Sequence, residues 1–241
     1  YAWSARLPVS LLTNFENLAV YQVSRRPAEG DKASLDRVAA YNFREYLEKL
    51  DEIYSVFSKD AVMRGSFDRY AAGAGKKRGT TLMDDDFLRE MEGWREELAE
   101  NIALRNPRLD VDGMNFAVQT VLDRILFLRI AEDRGIEDYG RLLGIAREEH
   151  AYKNLVHYFQ DADDRYNAGL FDFRKDKLTP ALKVDDSALK NIVQNLYYPR
   201  SPYAFEVIGA DVLGSVYERF LGSVIRLTAG HRAKVEAKPE V

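Results

Sequence analysis

Residues 116–134, FAVQTVLDRILFLRIAEDR, constrain the fold more than any other stretch, because their apolar side chains do not stay on one side of a helix. Phe116, Val118, Val121, Leu122, Ile125, Leu126, Phe127, Leu128 and Ile130 cover most of the circumference, the pattern of a helix enclosed by other elements. At about 1.5 Å per residue it is roughly 30 Å long, the width of a small domain. Gly113 and Asn115 stand at its expected start, and Arg134 and Gly135 supply the last-turn cation and the glycine that commonly ends a helix. The same stretch carries Asp123, Arg124, Arg129, Glu132 and Asp133. Charges on so apolar a helix cost on the order of several kcal/mol each unless they are partnered. Two arrangements answer that cost. The preferred one pairs these five residues with neighbouring helices as structural ion pairs; the other directs Arg124 or Arg129 into a groove for a phosphate. Periodicity does not separate the two.

The rest of the composition narrows the class. With 46% hydrophobic and 31% charged residues and only seven prolines, the chain of 241 residues reads as mainly helical and globular, long enough for one large or two small domains. It begins at Tyr1 rather than at a methionine, which suggests a piece of a longer polypeptide. A formal charge of -4 gives no global pull toward nucleic acid, so any DNA contact rests on local basic patches. The absence of cysteine removes disulfides, thiolate nucleophiles and cysteine metal sites, in keeping with a reducing compartment. No apolar run approaches the roughly 20 residues of a membrane helix and no signal-peptide pattern opens the chain, so the reading is cytoplasmic with no membrane partner. His150, His157 and His231 are too scattered for a metal site, and no metal is expected in this chain.

In chain order, Leu7–Thr13 and Leu18–Val23 read as two antiparallel strands joined by a tight turn. A lone hairpin is marginal in water, so the remaining strands of its sheet are expected upstream of Tyr1. Residues 24–34 read as a surface connection, and 42–58 and 59–70 as helical. The segment AAGAGKKRGTT, 71–81, is the sharpest break: its glycines give flexibility, and Lys76, Lys77 and Arg78 concentrate positive charge. It is a solvated linker or a loop that grips a DNA backbone, where each neutralised phosphate adds to salt dependence. Asp84 or Asp85 caps the next helix, whose stripe is Phe87, Met91, Trp94, Leu98 and Ile102. Helical pattern returns at 151–166, where Asp161, Asp163 and Asp164 invite a metal or acid–base reading; without ordered ligand spacing, pairing with Arg165 and neighbouring helices is preferred. GLFDF, 169–173, is suited to plugging aromatic rings between helices, and Ser187 caps a helix through Leu196. YYPRSPYAF, 197–205, with two prolines and four aromatic rings, reads as an ordered, packed connection. A short amphipathic helix covers 211–221, and strand-like pieces cover 224–227 and 234–236.

Several strings then form a recognisable series: KKRGT at 76–80, EGWREELAENIALRNP at 92–107, DRILFLRIAEDRGIEDYGRL at 123–142, DDRYNAGLF at 163–171, YYPRSPYAF at 197–205 and DVLGSVYERFLG at 211–222. Their order and spacing resemble the region between nuclease and methyltransferase in single-chain type IIG restriction-modification enzymes. The resemblance implies a PD-(D/E)xK nuclease before this segment, and an adenine-N6 methyltransferase followed by a target-recognition domain after it. Tyr1, Ala2 and Trp3 look like the end of the family's QxxxYA segment, so Tyr1 would be a remnant of the nuclease motif. HRAKVEAKPEV resembles the lead-in to the methyltransferase. The implied fold is mainly α: a multi-helix connector with an N-terminal antiparallel β-hairpin, left from a nuclease sheet, and short C-terminal strands. The implied divisions are 1–35, the nuclease remnant; 36–80, a helical segment with the basic loop; 81–222, the connector; and 223–241, the lead-in.

No NPPY-type loop, glycine-rich cofactor motif or nuclease acid set occurs in these residues, so no catalytic residue is assigned and no cofactor is expected in this chain. S-adenosylmethionine and Mg²⁺ are expected for the parent enzyme, with double-stranded DNA and the flanking domains as partners. A connector's own DNA contacts would be to phosphates, through Lys76, Lys77 and Arg78 and, more weakly, Arg232 and Lys234. Three alternatives stay open: a stand-alone helical interaction module whose surface is 197–205, the helical region of a nuclease-less defence methyltransferase, and an enzyme built on Asp161, Asp163 and Asp164.

Overall fold

In the computed structural model, which describes residues 1–73, 83–166 and 169–238, the chain divides into two units, Tyr1–Met83 and Asp84–Val241. The first holds three strands, β1 (Val9–Thr13), β2 (Asn17–Gln22) and β3 (Arg37–Asn42), then helices α1 (Leu50–Phe57), α2 (Lys59–Met63) and α3 (Ser66–Gly73). The strands form one antiparallel sheet in the order β1-β2-β3. The hairpin is where alternation placed it, with Phe15 in the left-handed region at its tip and the Asn14 side chain accepting from the Asn17 amide. The strand that pairs with it comes from downstream. The division at 35/36 puts residues 37–42 in a helical segment, but they form a strand, because Val20 faces Ala39 and Leu18 faces Tyr41 across the β2–β3 ladder.

One face of this sheet makes the core of the first unit. Val9, Val20 and Tyr41 are buried there, with Leu18, Ala39, Ile53, Phe57, Phe67 and Tyr70 packed partly buried against them. Tyr41 donates to Glu52 of α1 at 2.7 Å; burial and that carboxylate push its hydroxyl up to about 12. Ser58 caps α2 through the Ala61 amide, the usual use of a serine before a helix.

The second unit is helical, with α4 (Met83–Arg105), α5 (Val111–Asp133), α6 (Arg141–Ile145), α7 (Ala151–Tyr166), α8 (Asp186–Gln194) and α9 (Ala210–Phe220), closed by an antiparallel hairpin of β4 (Ser223–Leu227) and β5 (Ala233–Ala237). The all-round apolar stretch is α5, and Met114, Ala117, Val118, Val121, Leu122, Ile125 and Leu128 on it are buried. It starts earlier than glycine and asparagine signals implied. Asp110 is its cap, accepting from the Gly113 amide at 2.8 Å. Gly135, at φ 68°, takes the left-handed residue that ends it. Asp84, Asp85 and Asp86 lie inside the first turn of α4, where carboxylates complement the helix dipole. Ser187 lies inside α8, and Asp185 takes the cap position.

The aromatic segments fold as ordered pieces. Phe171 is fully buried against Phe127 and Phe159, and Tyr197, Tyr203 and Phe205 are buried while Tyr198 stands out 84% exposed. The chain is thus mainly α, with a three-stranded sheet early in the sequence and a two-stranded hairpin at its end.

Candidate functional site

Two arginines of α5 form buried ion pairs. Arg124 is 1% exposed; its Nε donates to Leu170 O at 2.8 Å, its Nη1 lies 2.8 Å from Asp176 and 2.7 Å from Thr179 Oγ1, and its guanidinium lies 4.5 Å from the centre of the Phe173 ring. Asp176 in turn accepts from the Thr179 amide and hydroxyl. One turn and a half on, Arg129 is 2% exposed; it donates to Leu196 O at 2.9 Å, pairs with Asp133 at 2.6 Å and lies over Tyr197 at 4.2 Å. GLFDF and YYPRSPYAF therefore perform the same task. Each segment brings aromatic rings to one arginine of α5, and each arginine donates to a backbone carbonyl at or beside that segment. Neither guanidinium has a face open to a phosphate.

Glu132 and Asp123, expected to form ion pairs, take neutral donors instead. Glu132 accepts from the Gly140 and Leu142 amides at 2.9 and 2.8 Å and from Tyr197 Oη at 2.6 Å, so it caps α6 from a different helix. Asp133 also accepts from the Phe205 amide at 2.8 Å. Asp123 accepts from Tyr217 at 2.7 Å and Gln119 at 2.8 Å; burial pushes its carboxyl up, against the pull of those bonds and of Arg95. Burial and Asp123 together push Tyr217 up to about 12.

Arg95 completes this group and was not foreseen. It sits on the apolar stripe of α4 beside Trp94, is buried, and donates to Phe220 O at 2.8 Å and Gln119 Oε1 at 2.7 Å, with the Phe220 ring 3.5 Å away. Burial lowers its affinity for the proton. In the run EGWREELAE one arginine among glutamates reads as solvated; only its position next to an inward tryptophan hinted otherwise.

The hairpin end carries the weaker DNA candidates. Asn115 of α5 stands in for a third strand: its amide donates to Ile225 O and accepts from Ile225 N, both at 2.8 Å, which closes the open edge of β4. A cleft of about 630 Å³ lies beside it, lined by Arg95, Phe116, Gln119, Arg226 and Lys238 among others. Phe116 is half exposed there rather than enclosed. On the outer face Arg226 and Lys234 are directly opposite, a like-charge pairing that weakens a hairpin. Lys234 is relieved by Glu236 at 3.0 Å, and Arg232 is exposed at the turn.

Other candidates fall elsewhere. Lys76, Lys77 and Arg78 lie outside the described residues. Tyr1 is exposed, its carbonyl accepting from the Ala5 amide at 2.9 Å. Asp161 pairs with Arg141 at 3.0 Å, and Asp163 accepts from the Phe173 amide at 3.3 Å. Arg165 goes to Glu137 instead of to these aspartates. Among the described residues no group of histidine and carboxylate side chains is arranged to hold a metal ion, and no helix is long and apolar enough to cross a membrane.

The chain is similar to a segment of a fused type II restriction enzyme and methyltransferase, as the resemblance to type IIG enzymes implied. That relative is the type II restriction enzyme and methyltransferase RM.Eco57I of Escherichia coli, 32% identical over 240 residues, covering 100% of this chain and 24% of the relative. The chain therefore spans about a quarter of the length of the curated relative it matches. No family model matches the chain, and no solved structure matches it.

Proposed function

We propose that this chain is the connector of a type IIG restriction-modification enzyme, holding a nuclease at a fixed distance from a methyltransferase and recognition module. The observation that carries the reading is the end-to-end match to a segment of RM.Eco57I, joined to the charge-clamped α5. A spacer must resist bending, since a wandering nuclease cuts at scattered positions; a helix tied to its neighbours by buried, geometry-specific pairs suits that task better than a flexible linker. In this reading residues 1–35, with Tyr1, are the end of the nuclease, 36–80 a segment that opens with β3 of the same sheet and continues as helices toward a basic loop, 81–222 the connector and 223–241 the approach to the methyltransferase. The exposed apolar side chains of the first unit, Leu12 and Leu47 among them, support a piece that is completed by further chain.

The parent would act in the cytoplasm on double-stranded DNA, methylating adenine with S-adenosylmethionine and cleaving with Mg²⁺. The described residues offer no set that fits Mg²⁺, and no step of either reaction is assigned to them. Lys76, Lys77, Arg78, Arg232 and Lys234 are proposed to touch phosphates only. The test is to insert a Gly/Ser stretch between Gly79 and Thr80 of the parent enzyme and map its cuts. Methylation should persist while the cut positions spread; cuts that stay at the original distance would remove the spacer role.

A further inference from the structure

The second unit has a basic cleft that the sequence reading did not assemble. About 750 Å³ in volume, it runs between the first two turns of α7 and residues 180–186, and Arg105, His150, Lys153, His157 and Lys183 stand in its walls. Two of the chain's three histidines meet here. His150, Lys153 and His157 follow one another at three and four residues, so they make a row on one face of the chain entering and forming α7. That row spans about 10 Å at helical rise.

The carboxylates of the cleft are already committed. Asp185 is held by Arg105 at 2.8 Å and Asn101 at 2.9 Å, and Asp186 accepts from the His150 and Ala151 amides, both at 2.9 Å. Lys153 and Lys183 are exposed, and among the described residues neither ammonium has an ion-pair partner. Lys183 is nevertheless fixed in place through its backbone, which bonds the Asn106 side chain at 3.0 Å. The tyrosine in the wall, Tyr152, is buried with its hydroxyl on Thr179 O at 2.8 Å, so it offers no ring for a nucleobase. Positive charge on two walls, acids already hydrogen-bonded to the protein and no stacking tyrosine suit a backbone of phosphates rather than a nucleoside.

We propose that this cleft seats the sugar-phosphate backbone of duplex DNA, with Lys153 and Lys183 as its two free cations and the histidines as further donors. The proposal rests on the reading of the parent as a DNA enzyme, and it adds a contact on the body of the connector, remote in sequence from both the 76–78 run and the hairpin. Such a contact carries no base information; it would hold the connector along the duplex.

The experiment measures binding of the full 241-residue chain to a labelled duplex as salt rises, for wild type, for Lys153→Gln with Lys183→Gln, and for Lys153→Arg with Lys183→Arg. Losing two phosphate contacts should flatten the salt slope by about 1.8, so that raising salt from about 50 to about 200 mM costs the wild type roughly tenfold more affinity than the glutamine pair. The arginine pair should keep the wild-type slope. Because both lysines are exposed, circular dichroism should show the variants folded. An unchanged slope in the glutamine pair overturns the proposal, as does a wild-type chain that binds no duplex at low salt. Displacement of the duplex by millimolar inorganic phosphate would make the cleft a small-anion site and overturn the DNA assignment. Each of these failures leaves the cut-distance experiment on the parent untouched, which separates loss of this contact from loss of the connector reading.

Discussion

The two units solve opposite problems with the same chemistry of buried polar groups. In the first, a three-stranded sheet and three short helices enclose only Val9, Val20 and Tyr41 in their core cluster, and many apolar side chains, from Leu11 and Leu12 to Tyr54 and Met63, remain exposed. In the second, α5 is enclosed nearly all round, and two arginines and a glutamate are buried on it. The buried polar handles of the sparse core are small and neutral: the Tyr41 hydroxyl on the exposed Glu52, and the Ser66 hydroxyl on Val56 O. The dense core buries charges, and Arg124, Glu132 and Arg95 each have more than one partner. A charge is tolerated inside only where enough elements converge to supply its carbonyls, hydroxyls and rings, and only the second unit has that many.

The largest test of this contrast is Arg124→Met. It leaves Asp176 buried without its cation, and should cost the second unit about 3–5 kcal/mol in urea unfolding. Adding Asp176→Leu should restore much of that loss; a single substitution with no effect would mean that the pair is not buried as described. The counterpart in the first unit is Val20→Ala, worth about 2 kcal/mol from lost methyl burial and the cavity left behind. Its effect should fall on the transition of the first unit, and an equal shift in reporters from both units would break the comparison.

Asn115→Ala is expected to cost about 1–2 kcal/mol, since it leaves the Ile225 amide and carbonyl without partners. Amide exchange at Ile225 should quicken while exchange in the middle of α5 stays slow. The smallest effect is acid dependence at Glu137. Burial pushes this carboxyl up, but bonds from Tyr166 and Arg165 outweigh burial and hold it below its ordinary value of 4.5. Its contribution is therefore present above about pH 4.5 and lost as pH falls through the lower folded value. Glu137→Gln should flatten that acid limb of the urea midpoint; an identical limb in both proteins would assign the acid sensitivity to other carboxylates.

Much of the second unit was legible because helical periodicity and its punctuation are local. The α5 stripe, Gly135 as its stop, residues 151–166 as a single helix and the closing strands all follow from spacing within one segment. The third strand was not legible, because β3 becomes a strand by pairing with β2 and shows no alternation of its own. Arg95 was missed for a related reason: its burial depends on Phe220 and Gln119, which lie far along the chain.

By itself, then, the sequence determined the helical class, the enclosed central helix, the need for partners to its charges and the similarity to a segment of a restriction enzyme and methyltransferase, because patterning and identity are carried residue by residue. Only the tertiary structure decided which partners those charges take: Leu170 and Asp176 for Arg124, Leu196 and Tyr197 for Arg129, and backbone amides for Glu132. It also decided that Lys153 and Lys183 share one cleft. Pairing of a charge is settled by what converges on it in space, and residues 30 or more apart in the chain leave no mark of that convergence in local composition.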